Sequence, residues 1–274
     1  MGAKSPNTHS LLGRPRRLTA ISKCYRVFSM CALIAVIVWN HQMYQSSSSD
    51  NKANIRTLEN KSSCPSLMHG KGVPTFKTRN DIAAILNNEP GFHRGVELGV
   101  QHGHFSLHTL TNWPNCDEYH LVDLWGHQEN YHDYANRDDA KQEEIYQGAM
   151  KRLKGVQDRI HVCRNYTTVC VKNFQDGYFD FIYVDARHDF KGVWEDMVAY
   201  WPKLRVGGIM AGHDYVTNDD GPLPRQDWSK NYDGTIDETG TVVKGAVDKF
   251  AESVCRQVTV SYREGSWNSW AIRK

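Results

Sequence analysis

The sequence predicts an α/β domain, a mostly parallel sheet with helices on both faces and an antiparallel strand at its end. Two observations predict it. From Thr78 onward short apolar runs alternate with longer amphipathic or polar stretches, without any internal repeat of 20–50 residues. Repeated β-α units of this kind close as a parallel sheet covered on both sides. Glycines and acids also gather where the apolar runs end, and in such sheets ligands bind at the carboxyl ends of the strands, where strand order reverses.

The elements follow in order. Asn80-Asp81 can cap a short helix through Ile85 and Leu86. Arg94 to Leu98 reads as a strand and Gly99 to Gly103 as a glycine-bearing turn, followed by a helix carrying Phe105, Leu107 and Leu110. Tyr119 to Val122 is the second strand and Ala140 to Leu153 a charged amphipathic helix. Arg159 to Cys163 is the third strand; Phe179 to Val184 is the fourth, apolar enough to be central. Asp189 to Leu204 reads as a helix stopped before Gly207-Gly208, and Ile209 to Gly212 as the fifth strand. Val242 to Val254 is a helix, and Val258 to Tyr262 with Trp267 to Ile272 makes a terminal strand pair.

The 274 residues have room for one such domain and an N-terminal appendage. The formal charge of +2 hides an asymmetry. Residues 1–49 hold no Asp or Glu but carry Lys4, Arg14, Arg16, Arg17, Lys23 and Arg26, which leaves the rest of the chain mildly acidic. That argues against a nucleic-acid partner, which needs a basic face on the folded domain.

The appendage divides into a basic tail (1–26), a hydrophobic segment (27–44) and a polar stem or linker (45–77), ahead of the domain (78–274). Val27 to Trp39 is free of charge, and as a helix it spans only ~20 Å of a ~30 Å hydrocarbon core. Tyr25, Trp39 and Tyr44 can sit at the interfaces and Arg26 can snorkel. With all cations upstream, the expectation is a single-helix signal-anchor, a cytosolic N-terminus and a domain in the lumen of the secretory pathway. A cleaved signal peptide and an organelle transit peptide are the rivals. The first lacks an A-x-A site and the second should be amphipathic. Cysteines 24, 31, 64, 116, 163, 170 and 255 show no zinc-like spacing. The plainer reading is small buried side chains, with a disulfide open to a lumenal domain and no pair indicated.

The chemistry concentrates in four stretches. Val96-Glu97-Leu98-Gly99 leads to Gly103, His104 and Ser106; the spacing is GxxxG rather than GxGxxG, which disfavours a pyrophosphate cradle. Leu121-Val122-Asp123 ends the second strand on an acid placed to accept the hydroxyl protons of a ribose, unless it is a helix cap or a surface group. Phe181 to Phe190 contains Asp185, His188 and Asp189, and Trp201 to Tyr215 contains Gly212, His213 and Asp214. Two long aromatic-rich connections, Trp125 to Arg137 and Val216 to Gly240, lie at the same edge and read as walls of an acceptor pocket or as plain surface loops.

Together the stretches VELGxxxGxxS, LVDLW, FIYVDARHDF and WPKLRVGGIMAGHDY resemble the class I S-adenosylmethionine-dependent methyltransferases. Within them they look like the branch of macrocin O-methyltransferase and, more distantly, the catechol-type O-methyltransferases, over about 78–274. The resemblance implies a Rossmann-like sheet and S-adenosylmethionine as cofactor. Glu97, Gly99, Gly103 and Ser106 would line its methionine and ribose end, Asp123 would hold the ribose hydroxyls, Tyr166 and Thr167 would line the adenine, and Asp185 would sit under the methyl donor. His188 and His213 are candidate bases or loop-holding histidines. The implied reaction is O-methylation of a small-molecule or glycan hydroxyl. The alternatives are another transferase on this fold, such as an aminopropyl transferase, and a non-catalytic membrane-tethered module. The catechol-type relatives further imply a divalent metal, Mg²⁺, between Asp185 and Asp214. This sequence departs from them by having Tyr215 where an asparagine follows the second aspartate, so a His213–Asp214 base is the competing account.

Overall fold

The computed structural model describes Cys64 and residues 71–220, 226–265 and 267–274, all within a compact unit running from Tyr44 to Lys274. The basic tail, the hydrophobic segment 27–44 and most of the expected linker lie outside the described residues. Among the described residues no helix is long and apolar enough to cross a membrane.

Seven strands form one sheet in the order β3-β2-β1-β4-β5-β7-β6. They are β1 (Arg94–Leu98), β2 (Glu118–Val122), β3 (Ile160–Cys163), β4 (Phe179–Val184), β5 (Leu204–Gly212), β6 (Thr259–Val260) and β7 (Trp270–Arg273). The first five run parallel, and β7 pairs antiparallel with both β5 and β6. The helices are α1 (Ile82–Asn88), α2 (His104–Asn112), α3 (Asp139–Arg152), α4 (Thr167–Cys170), α5 (Phe190–Tyr200) and α6 (Val242–Ser253).

The period of two along each strand divides the core between the faces. On β4, Ile182 and Val184 join Val96, Leu98, Met210 and Trp270 in a cluster with α5 and α6, and Phe179, on the far side of the register shift, packs there too, outside the alternation. Phe181 and Tyr183 join Tyr119, Leu121, Ile209 and Ala211 in another with α1, α2 and α3. The expected two-sided cover is therefore present. β4 is buried at every position, which is why its sequence reads as an unbroken apolar run.

Several readings differ from expectation. The helix from Asp189 ends at Tyr200 rather than Leu204, because Pro202 has no N–H to extend the ladder beyond the bond from Trp201 to the Met197 carbonyl (2.9 Å). β5 consequently starts at Leu204, and Gly207-Gly208 is an irregularity inside it rather than a helix stop; Gly207 adopts φ +82° where the register with β4 shifts. The domain also begins before residue 78, since Val73 and Phe76 are buried in the α1–α3 cluster. Finally, the plain reading of the cysteines is corrected. Cys64 bridges to Cys255 and Cys163 to Cys170, leaving Cys116, among the described residues, as a free buried thiol.

The tightest point of the sheet edge is Gly99. Its φ is +83°, and a Cβ there would lie 2.0 Å from the carbonyl oxygen of Asp185. Gly99→Ala is expected to destabilise the chain by about 2–4 kcal/mol, from left-handed strain plus displacement of that backbone. Gly91, with φ +74° and open space around it, is the control and should lose only the strain. Urea unfolding measures both, and equal losses at the two positions would refute the close-approach argument.

Candidate functional site

The parallel register brings the strand ends level. Leu98 pairs with Val122 and Val184, Val122 with Cys163, and Val184 with Gly212. The next residue of each strand therefore emerges on one edge, which places Gly99, Asp123, Asp185 and His213 side by side. Backbone bonds knit this edge: Gly99 N–H to the Val122 carbonyl (2.9 Å), Asp185 N–H to Leu98 (2.7 Å) and His213 N–H to Val184 (3.4 Å). Strand order reverses between β1 and β4, so the crevice expected in such sheets opens at this place.

One half of the edge is the glycine turn. Gly99, Gln101 and Gly103 all have positive φ, and no side chain caps the following helix α2. Asp123 shapes the turn. Its Oδ2 accepts from the N–H groups of Val100 and Gln101, both at 2.8 Å, and its Oδ1 from Trp125 N–H at 2.7 Å. A carboxylate has about four acceptor sites, so Asp123 retains room for a further donor. Glu97 and Ser106 lie beneath, both buried, with Ser106 Oγ donating to Glu97 Oε2 (2.7 Å) and Tyr119 OH to the same oxygen (3.2 Å). Burial pushes the Glu97 carboxyl up to about 8. Tyr166 forms the N-cap of α4 and is partly exposed, while the Thr167 carbonyl accepts from Tyr200 OH (3.1 Å). The Cys163–Cys170 bridge closes this turn.

The other half is a cluster of acids and imidazoles. His188 Nε2 lies 3.0 Å from Asp214 Oδ2 and 3.5 Å from Asp185 Oδ1; His213 Nδ1 lies 2.7 Å from Asp214 Oδ1. Asp214 is buried with φ 54°, an uncommon conformation for a residue other than glycine. Burial works against charge on His188, but Tyr131, Asp214, Asp133 and Asp185 outweigh it and raise its pKa well above the ordinary value. Burial likewise opposes charge on His213, and Asp214 overcomes it. Asp214 is held well below the usual carboxylate range, burial being outweighed by His188 and His213.

Asp185, His188, His213 and Asp214 are thus brought together, and Asp123 joins the glycine turn; Glu97 and Ser106 pair inside the core. Sequence reasoning missed several neighbours. Asp133, in the loop after β2, takes on its Oδ2 the Nε1–H of Trp228 (2.8 Å), the amide of Gln226 (3.1 Å) and the Nδ1 of His188 (3.2 Å). The two long connections meet above the edge, where Asp227 N–H donates to the His132 carbonyl (3.0 Å). Arg79 reaches in from the start of the first helix, 3.6 Å from Asp185 Oδ2 and 3.9 Å from Glu264 Oε1. The aromatic density of both loops signalled a wall, but nothing in the spacing singled out Asp133, and Arg79 has no local signal.

Comparison with known proteins identifies the domain that carries this edge. Residues 96–215 match a family model described as a methyltransferase domain, which spans the glycine turn, Asp123 and the whole acid–imidazole cluster. The chain therefore carries a methyltransferase domain, of the class that uses S-adenosylmethionine. Among solved structures, the chain is similar to a "putative O-methyltransferase" from Klebsiella pneumoniae, at 13% identity and a TM-score of 0.50, over 86% of this chain and 96% of that one. It is also similar to a "putative caffeoyl-CoA O-methyltransferase" from Staphylococcus aureus (12%, TM-score 0.49, 74% and 86%) and to spermidine synthase from Thermotoga maritima (12%, 0.44, 71% and 58%). At such identities the likeness concerns the fold. Comparison with curated proteins finds no match.

Glu97 yields a pH prediction. Its carboxyl titrates near 8 when folded and near 4.5 otherwise, so the folded chain keeps a proton that the unfolded chain releases. Its contribution to stability is complete below pH 4.5 and declines as pH rises toward 8. Glu97→Gln should therefore gain stability relative to the parent between pH 5 and pH 8, by on the order of 1–3 kcal/mol. Urea unfolding at both pH values measures it, and a difference that stays flat would contradict a buried protonated carboxyl.

Proposed function

We propose that this chain methylates a hydroxyl of a small molecule or sugar, and that it does so in the secretory lumen, tethered by its segment 27–44. The observation that carries the reading is the shared edge. A glycine turn with an acid-organised backbone and an acid–imidazole cluster stand next to each other at the switch point of a sheet that matches a methyltransferase domain.

The residues present fit S-adenosylmethionine. The turn at Gly99–Gly103 and the uncapped start of α2 offer backbone N–H groups, and Asp123 keeps acceptor capacity for a ribose hydroxyl. Tyr166 and Thr167 take the adenine side, and Asp185 stands between the two halves. When bound, the sulfonium supplies the methyl group and its own leaving group, so the chain's work is alignment, exclusion of water and removal of one proton. His213, whose Nδ1 lies 2.7 Å from Asp214 Oδ1, stands on the acceptor side to take the hydroxyl proton as the oxygen–methyl bond forms. The loops joined at His132 and Asp227, with Trp228 fully buried beneath them, shield this space from water. A divalent cation at Asp185 and Asp214, Mg²⁺ by the resemblance, would lower the pKa of the acceptor hydroxyl and orient it.

The two disulfides support the lumenal assignment, because such bonds persist in oxidising compartments and are rare in the cytosol. The expected outcome in sealed microsomes is a domain protected from protease until detergent is added. Digestion without detergent would overturn the assignment. For the reaction, full-length chain is incubated with labelled S-adenosylmethionine and a panel of sugars, glycans and phenols. Asp123→Ala should weaken cofactor binding by about 1.5–3 kcal/mol in calorimetry, through the lost charged hydrogen bond and the loosened turn. Unchanged affinity removes Asp123 from the site.

A further inference from the structure

We infer that the cation of this centre is held by three side chains, Asp185, His188 and Asp214, and that the nitrogen ligand makes the site select a first-row transition dication over Mg²⁺. The inference deepens the proposed function and rests on it for the use of the metal, while the binding itself is read from the cluster. One ligand atom from each of the three residues lies within 4.8 Å of the others. The sequence pointed to the two aspartates alone; His188, three residues beyond Asp185 in the loop between β4 and α5, supplies a third ligand.

The second observation concerns where the two ring nitrogens point. His188 Nδ1 faces two acceptors, Asp133 Oδ2 at 3.2 Å and Tyr131 OH at 3.0 Å, and that hydroxyl can spend its own hydrogen on the Ala186 carbonyl at 3.2 Å. Nδ1 is therefore the nitrogen that bears hydrogen. Nε2 is shielded from solvent and makes no hydrogen bond of acceptable geometry, as is also true of Asp214 Oδ1. In the neutral ring Nε2 presents its lone pair to the oxygens of Asp185 and Asp214. A lone pair aimed at two carboxylates is stable only with a cation among them, either a proton or a metal. Arg79 approaches the other oxygen of Asp185, Oδ2, and leaves Oδ1 facing the cluster.

The surroundings resemble a support for a metal ligand rather than for a mobile base. A ligating histidine commonly donates its second ring N–H to a carboxylate, which sets the tautomer and ring plane. Asp133 is that carboxylate, and it is itself held by Trp228, Gln226 and the N–H of Ala135 at 2.7 Å. Asp133 is a positioning residue. Mg²⁺ favours an all-oxygen shell with several waters, whereas an imidazole raises affinity for the later divalent ions of the first transition row.

The test uses the full-length chain stripped with EDTA and titrated separately with Mn²⁺, Co²⁺ and Mg²⁺, by calorimetry and by the visible absorption of Co²⁺. One Co²⁺ or Mn²⁺ should bind per chain at least tenfold more tightly than Mg²⁺, with the Co²⁺ spectrum showing a nitrogen ligand. His188→Ala should abolish this preference, and Asp133→Asn should weaken Co²⁺ binding about 10–100-fold while leaving one site. If His188→Ala does not fold, His188→Gln and the parent's own ratio of Co²⁺ to Mg²⁺ affinity decide the matter. Equal affinity for Mg²⁺, no binding of any of the three ions, or unchanged Co²⁺ binding in a folded His188 variant would each overturn the inference. Methyl transfer is measured in the same samples. Full turnover by the EDTA-stripped chain would refute a working metal and leave the methyltransferase reading intact, whereas tight Co²⁺ binding without turnover on any acceptor would do the reverse.

Discussion

The site depends on how closely β1 comes to β4. Leu98 and Val184 are paired, the Asp185 N–H bonds the Leu98 carbonyl, and the chain at Gly99 passes so near the Asp185 carbonyl that no Cβ fits. This contact sets the level at which the glycine turn leaves the sheet, and with it the distance between that turn and the acid–imidazole cluster. Gly212 repeats the constraint one strand further on, where a Cβ would meet the Val184 carbonyl at 2.4 Å. The edge is thus built from backbone, and the functional side chains inherit their positions from it.

A second layer of order comes from carboxylates that organise loops. Asp123 gathers three backbone N–H groups around the turn, and Asp133 gathers donors from His188 and from the loop carrying Gln226 and Trp228. Each acid ties a loop to the edge where the strands end. The disulfides act similarly at the margins. Cys163–Cys170 holds the turn bearing Tyr166 and Thr167, and Cys64–Cys255 ties the segment ahead of the domain to the end of α6.

Charge in the cluster is balanced by position. Asp133, Asp185 and Asp214 surround His188, and Asp214 also carries His213. Three buried or half-buried acids so close together require positive charge between them, and His188 lies at the centre of the arrangement. The same electrostatics that hold protons on the imidazoles make the place attractive to a divalent ion.

Much of this was legible in the sequence. Five parallel strands could be placed from apolar runs, because strands buried on both faces must be apolar throughout, as Phe179–Val184 shows. The acids at strand ends could be read as a site, because a parallel sheet carries all its carboxyl ends to one edge. The end of the helix before Pro202 and the irregularity at Gly207 were not legible, since a glycine pair signals a stop and a bulge equally well. Nor were the disulfides, because Cys64 and Cys255 stand 191 residues apart and only folding makes them neighbours. Asp133, Arg79 and the orientation of His188 belong to the same class. By itself the sequence determined the sheet, its covered faces and the edge where chemistry gathers, all of which follow from periodicity and chain direction. Only the tertiary structure decided which loop acid holds which ring nitrogen, because that depends on contacts between segments whose separation along the chain carries no pattern.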